Sequence, residues 1–562
     1  MKLFRIFLSP RWLFLWTLVV LMVPNVWLCF SEQMPLWAAL TNILLPLSFY
    51  AIVLSLGRST GKMVWWLFLF IFFAAFQVVL LFLFGNSIIG VDMFLNLTTT
   101  NPAEALEVLT NLLWGILTIV ALYVPVLVAS IIQIRKKIVI ARPFRIKARL
   151  LAIVGVLLGI GCLVGAYKTT PNYKVRNELY PLNVCYNVWL TGKHLVAEHR
   201  YDSAVAEFAF QAKPTHDADE PEIYVLVIGE TARADHFGLY GYERPTTPML
   251  QNDTARLIWF TDAIAQSNTT HKSVPTLLSA ATAQDYSRLY RERSIVTAFK
   301  EAGFHTVYLS NQRRNHSFID RFGEEADEVL FLKDDGNTYH YDSELLSHTN
   351  LLFNSDHRKL FVVLHLYGSH FNYRERYPDT AAKFLPDDAS EAVASNRESL
   401  VNAYDNTILG TDAVLNTLFH QLNNTNKVAV ALYTSDHGEN LFDDERHLFL
   451  HASPRPSYYD LHVPFIIYTS MPYEQAHPQQ QARIEAVRHE PVSTNAAVFH
   501  TMLELAGVQT PAFTDTLSLA NPAYKCTRRY YLSDHCAPIP IPQLKLSDGD
   551  RQQFRSHGLL FK

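Results

Sequence analysis

The sequence predicts two unlike halves: an all-α membrane domain of five transmembrane helices, then an α/β domain with a mainly parallel sheet flanked by helices. Three observations predict this. Only 18% of the 562 residues are charged, against about 25% in an ordinary soluble protein. The deficit is local, since residues 1–167 hold 12 Lys and Arg but only four acids (Glu32, Asp92, Glu104, Glu107), while the remainder holds 36 bases and 48 acids. From residue 221 onward, short β-branched and aromatic runs alternate with polar helical stretches. These features exclude a single soluble domain, a collagen-like chain and a disulfide-rich mini-protein.

Residues 12–30 are apolar apart from Asn25 and are long enough to cross a hydrocarbon core of about 30 Å. Similar runs at 36–56, 63–84, 112–134 and 150–167 complete five spans. The first is too long for a signal peptide and lacks a small-x-small cleavage site. Lys2, Arg5 and Arg11, then Arg58 and Lys62, then seven bases from Arg135 to Arg149 fall in loops on one face, while loops 31–35 and 85–111 have no Lys or Arg. Positive charge stays on the cytoplasmic side. The N-terminus is therefore expected in the cytoplasm and the second half outside, in the periplasm of a Gram-negative bacterium. The expected divisions are a membrane domain at 1–167, interfacial linker helices at 168–215 and an exported domain at 216–562.

In the exported half, EIYVLVIG (222–229), HTVYLS (305–310), KLFVVLHLYG (359–368), KVAVALYTS (427–435) and VPFIIYTS (463–470) are continuously apolar. That pattern predicts strands buried on both faces, and hence a parallel sheet. Ligands bind such sheets at the carboxyl ends of strands, where Glu230, Asn311 and Gln312, His370, and Asp436–His437–Gly438–Glu439 stand. All 22 histidines follow residue 193, which suits a metal-capable aqueous domain. Cys526 and Cys536 are spaced to allow a disulfide in an oxidising compartment.

Glu230, Asp436 and His437 offer two carboxylates and an imidazole, a set that suits Zn²⁺ with a further position open. The segment SNTTHKSVPTLLSAAT (267–282) clusters hydroxyls at an expected helix start. There Thr269 or Thr270 is either a helix cap or a nucleophile whose pKa a metal lowers.

With IGETARADHFGLYGYERPTTP (228–248), Thr270 to Pro275, TSDHGEN (434–440) and NLTTTNPAEALEVL (96–109), the chain resembles the bacterial phosphoethanolamine transferases of the alkaline-phosphatase/sulfatase superfamily. The resemblance implies transfer of phosphoethanolamine from phosphatidylethanolamine to lipid A or a lipopolysaccharide core sugar through a covalent phospho-threonine. It implies one tightly bound Zn²⁺, with a second ion possible, held by Glu230, Thr270, Asp436 and His437. Thr270, and not Thr231, is the implied nucleophile. His370 and His451 would touch the phosphate or the second ion, and Asn96 and Glu104 match polar loop positions linked to lipid binding. The His437 to His451 interval is two residues longer than the family pattern, which leaves His447 as a rival to His451. SNTTHK also replaces the Cys-Gly-containing run seen in many relatives.

Lys272, beside Thr270, either holds a phosphate oxygen or faces water, and Asn311 is a further candidate for substrate binding. Arg233 and His236 follow the first ligand closely and fit either a site role or a surface helix. The expected partners are the donor lipid, the lipopolysaccharide acceptor and the inner membrane, with the chain a monomer and no nucleic acid bound. The rival readings are a phosphoglycerol transferase and a hydrolase of the phosphodiesterase or sulfatase type. A sulfatase needs a C/S-x-P-x-R run that segment 267–275 lacks.

Overall fold

The computed structural model describes residues 9–84, 88–99, 113–170, 173–216, 220–336, 340–389 and 391–559. The chain divides into two compact units, Met1–Leu95 with Pro102–Lys193, and Asn96–Asn101 with His194–Lys562.

From the N-terminus α1 (Pro10–Ser31), α2 (Leu36–Leu56), α3 (Thr60–Trp66), α4 (Phe68–Phe84), α5 (Val91–Thr99), α6 (Leu113–Arg135) and α7 (Arg142–Thr169) follow in order, all but the end of α5 in the first unit. Four of these, α1, α2, α6 and α7, are each long and apolar enough to cross a membrane. The expected third span is broken, because α3 and α4 meet at an angle of 63°. At the break the Leu67 N–H is shared between the carbonyls of Met63 and Val64, a local tightening toward 3₁₀ geometry that redirects the helix axis. Counting the bent pair as one span gives five among the described residues.

The last span begins at Arg142 rather than near 150. Its basic first turns have work to do in the fold: Arg149 donates to the Ser55 carbonyl at 2.8 Å and Arg145 to that of Leu56 at 3.1 Å. They thereby satisfy carbonyls that the end of α2 leaves without partners. Buried amides tie this unit together. Asn25 donates to the Asn42 and Tyr180 carbonyls at 2.8 and 2.9 Å, and Asn42 returns a bond to the Asn25 carbonyl at 3.0 Å. The segment after α7 folds as α8 (Leu182–His199), which exposes Leu182, Val188, Trp189 and Val196.

The second unit is built on β1 (Glu222–Gly229), β2 (Leu257–Trp259), β3 (His305–Ser310), β4 (Glu328–Phe331), β5 (Lys359–His365), β6 (Val428–Ser435), the short hairpin strands β7 (Asn440–Leu441) and β8 (Phe449–Leu450), and β9 (Phe465–Thr469). Seven of them form one sheet in the order β2-β9-β6-β1-β5-β3-β4. Strands β6, β1, β5, β3 and β4 run parallel, while β9 is antiparallel to both β6 and β2. Five strands match apolar runs in the sequence. The other two, β2 and β4, are the three- and four-residue edge strands, too short to show a pattern and, in β4, half exposed.

Each central strand feeds two cores. From β1, Tyr224, Leu226 and Ile228 face one side with α9 (Thr270–Leu277) and residues of Thr494–Leu505, while Ile223, Val225 and Val227 face the other with α10 (Arg397–Asn424). Burial on both faces is what a parallel sheet covered by helices requires. All five cysteines are free thiols, so the structure does not form the disulfide that the spacing of Cys526 and Cys536 allows.

Candidate functional site

The carboxyl ends of β1, β5 and β6 converge where the sequence places its acids and imidazoles. Glu230 follows β1 directly, and the chain then turns through Thr231, which takes the left-handed φ of 59°. That is an uncommon conformation for a β-branched residue. The turn is held from several sides: the Thr231 N–H donates to Asp436 Oδ1 at 3.0 Å, and Tyr404 donates to the Thr231 carbonyl at 2.7 Å. Gly368, after β5, lies close over this turn, and a Cβ there would stand 2.8 and 2.9 Å from the Glu230 carbonyl oxygen and nitrogen. With its φ of +49° the position demands glycine.

Asp436 and His437 leave the end of β6. Asp436 Oδ1 accepts the N–H groups of Thr231 and His437, whereas Oδ2 is buried and accepts no hydrogen bond. His437 Nδ1 faces the Gly438 carbonyl at 2.9 Å, which assigns the ring proton to Nδ1 and leaves the Nε2 lone pair free. Thr270, the first residue of α9, completes the group. Its Oγ1 donates to Glu230 Oε1 at 3.0 Å and lies 3.1 Å from His437 Nε2. His437 Nε2 is in turn 3.1 Å from Asp436 Oδ2 and 3.7 Å from Glu230 Oε1.

These four atoms fit a small cation. Zinc bonds of about 2.0 Å to nitrogen and oxygen imply tetrahedral edges of about 3.3 Å, and the distances above run from 3.0 to 3.7 Å. The electrostatics demand a cation too. Glu230 is 1% exposed and Asp436 0%, and burial followed by the charge of Asp436 lifts the Glu230 pKa well above the usual carboxylate range. Burial also lowers His437 and His451 to about 4, so neither imidazole supplies compensating positive charge.

Of the two rival histidines, the fold brings His451 to this centre. The β7–β8 hairpin pairs Leu441 with Phe449 and loops out the intervening residues, which accommodates the longer interval. His447, with φ 51°, is exposed in that loop. The His451 ring centroid lies 4.2 Å from that of His437, and donor atoms of Glu230, His437 and His451 all lie within 4.8 Å of one another. His451 Nδ1 faces Glu439 Oε1 at 3.0 Å, and Tyr373 donates to Glu439 Oε2 at 3.1 Å. Burial lifts the Glu439 pKa to about 8. The His370 ring lies 6.4 Å from that of His451 and stacks on Tyr367, and burial holds its pKa well below the ordinary value.

Other expected site residues stand elsewhere. Lys272 is fully buried and donates to the Ser533 carbonyl at 2.9 Å, so it does not face water. Asn311 donates to Asp342 Oδ1 at 2.8 Å, and Asp342 accepts the N–H groups of Tyr367 and Gly368. Asn311 thus supports the turn that carries His370. It is the neighbouring Gln312 that reaches Glu230, with Nε2 3.4 Å from Oε2. Asn96 lies in α5 with its side chain outside the described residues, and Glu104 lies outside them altogether.

Arg233 and His236 are not on a surface helix. Arg233 is 2% exposed and binds Asp235 and Asp443, and His236 pairs with Asp405 at 2.7 Å. The sequence signal for Arg233 was a base inside GETARADH, a segment that otherwise runs into buried residues.

Known proteins resemble this chain in sequence and in fold. The sulfatase family matches residues 222–508, just over half of the chain. Phosphoethanolamine transferase EptC of Escherichia coli is 27% identical over 323 residues, covering 56% of this chain and 55% of that protein, so the chain spans about half the length of this relative. The crystal structure of its C-terminal periplasmic domain in complex with Zn is 25% identical, covering 60% of this chain and 97% of that one with a TM-score of 0.55. EptA of Salmonella typhimurium is 30% identical over 445 residues, covering 75% of this chain and 79% of that protein. The integral membrane lipooligosaccharide phosphoethanolamine transferase A of Neisseria meningitidis shares the fold over 90% of this chain and 97% of that one, with a TM-score of 0.72 at 21% identity. The chain therefore belongs to the sulfatase family, in the group of its phosphoethanolamine-transferase relatives.

Proposed function

We propose that this protein transfers phosphoethanolamine from phosphatidylethanolamine to lipid A or to a lipopolysaccharide core sugar, at the periplasmic face of the inner membrane. The observation that carries the reading is the placement of the Thr270 hydroxyl within 3.1 Å of both Glu230 Oε1 and His437 Nε2 at the start of a helix. The names of the relatives supply the group transferred. The Lys and Arg asymmetry of the short loops supports a cytoplasmic N-terminus, and the exposed apolar face of α8 suits a bilayer surface. The chain works as a monomer, with residues 1–167 as the membrane domain, 168–215 as the linker and 216–562 as the catalytic domain.

Glu230, Thr270, Asp436 and His437 would hold one Zn²⁺, which when bound would lower the pKa of the Thr270 hydroxyl and neutralise charge on the phosphoryl group. The Thr270 hydroxyl loses its proton to solvent. Thr270 Oγ1 then forms a bond to phosphorus as the bond from phosphorus to the diacylglycerol oxygen breaks, leaving phosphoethanolamine on the threonine. His370 and His451, neutral at rest, orient the phosphodiester, and its negative charge raises their proton affinity. One of them, having taken up a proton from solvent as the phosphodiester binds, delivers it to the departing diacylglycerol oxygen and is left neutral. In the second step an acceptor phosphate oxygen, or a hydroxyl oxygen whose proton passes to that neutral histidine, bonds to the same phosphorus as the bond from phosphorus to Thr270 Oγ1 breaks. Asn96 and Glu104 contribute to binding the donor lipid.

The test is intact mass spectrometry of lipid A and core oligosaccharide from cells with and without the protein. The expected result is a gain of one phosphoethanolamine unit on either. A gain of phosphoglycerol, or no gain on either, overturns the reading.

A further inference from the structure

A second cluster of metal-binding donors lies at the opposite end of the sheet from Thr270. His305 opens β3 and Glu328 opens β4, while His357 stands two residues before β5. These strands are neighbours in the sheet, with His305 in register with Leu360 of β5 and Val307 with Glu328. The pairing therefore fixes three backbone positions side by side at the amino edge, about 20 Å along six-residue β3 from the site end. One ring nitrogen from each histidine and one Glu328 oxygen all lie within 4.8 Å of one another.

The two imidazoles are the telling feature. Their rings stack 3.8 Å apart at an interplanar angle of 5°, so one ring must turn out of the stack for the in-plane lone pairs of both to meet at one ion. His305 Nε2 also faces Glu328 Oε1 at 2.8 Å, and its Nδ1 lies 3.9 Å from Asp327 Oδ2. Asp327 is itself engaged, accepting from Thr306 and pairing with Lys300 at 2.6 Å, so it serves as a nearby negative charge and not as a free ligand. Two imidazoles and a carboxylate leave one position for water, a donor set of borderline softness that favours zinc among abundant divalent ions.

We propose that His305, Glu328 and His357 form a second, peripheral Zn²⁺ site, separate from the threonine centre, that clamps the amino ends of β3, β4 and β5. His305 is partly exposed, and Glu328 and His357 are exposed, so the His357 ring is free to swing out of the stack and bring its lone pair to the ion. An ion bound only to the folded chain stabilises it by mass action.

The test uses the full chain in detergent micelles, dialysed against micromolar zinc, with bound metal counted by elemental analysis. The double variant His305→Gln/His357→Gln is expected to hold one zinc equivalent fewer than the parent while transferring phosphoethanolamine at the parental rate. Equal zinc content in the two proteins overturns the proposal. A second measurement needs no variant. Zinc is expected to slow carbethoxylation of both His305 and His357 severalfold, while exposed His420 on α10 reacts unchanged. Unprotected His305 and His357 in zinc-loaded protein likewise overturn it.

Discussion

The Arg233 guanidinium reaches both carboxylate oxygens of Asp443, with Nη1 2.9 and 3.0 Å from them. The same nitrogen donates to the Glu439 carbonyl at 3.2 Å, the fork's other edge binds Asp235, and the group stacks over Tyr459 at 4.4 Å. One buried side chain thus ties the turn after Glu230 to the hairpin that carries His451, two parts of the site more than 200 residues apart in sequence.

Removing that tie leaves the Asp235 and Asp443 carboxylates without their shared cation in a buried setting. Arg233→Ala is expected to lower unfolding free energy by about 3–5 kcal/mol and to reduce transfer through displacement of His451. Arg233→Lys keeps the charge but loses the fork, and falls between the two. Denaturant unfolding of the three proteins checks the order, and an alanine variant as stable as the parent contradicts it.

The four-donor cluster makes a prediction of opposite sign without and with added zinc. Asp436→Asn keeps the Oδ1 acceptor of two N–H groups and replaces the bare Oδ2 with a donor facing His437 Nε2. Without metal, loss of the repulsion between Asp436 and Glu230 makes the variant melt above the parent. With zinc at about a hundred times its Kd the parent gains about 2.7 kcal/mol, and the variant gains much less. Calorimetry with chelator and with zinc reads both halves.

His340 lies between Glu344 and Asp335, with its ring nitrogens 2.7 and 3.0 Å from their oxygens. The Glu344 contact, joined by that of Asp335, raises its pKa above the ordinary 6.5. A histidine raised on folding contributes stability that is fully present below the unfolded pKa and is lost as pH climbs through the folded one. Exchange of the Tyr341 and Glu344 amides, corrected for intrinsic rate, is therefore expected to quicken as pH rises above about 6.5. His340→Gln flattens that dependence.

Much of this was legible before any coordinates. The strand-end acids at 230 and 436 and the continuously apolar runs carry their own physics, because a strand buried on both faces leaves little choice of sheet type. What was hidden depended on long-range placement. Nothing near residue 447 says that the hairpin loops it into solvent and delivers His451, since both histidines sit in similar local sequence. Lys272, two residues after Thr270, reads as either a phosphate ligand or a solvated charge, yet its side chain is buried and runs to the carbonyl of Ser533. Arg233 reads as ordinary charge until Asp443 is seen beside it. The break at Leu67 leaves no Pro or Gly as a signal at the bend itself.

The central claim is that Thr270 carries the transferred group. The most direct measurement is peptide mass spectrometry of the zinc-loaded protein quenched during turnover with phosphatidylethanolamine and no acceptor. The account predicts a phosphoethanolamine adduct on Thr270 that disappears in Thr270→Ala together with all transfer. An adduct on Thr231 or Thr269, or undiminished transfer by Thr270→Ala, would contradict it.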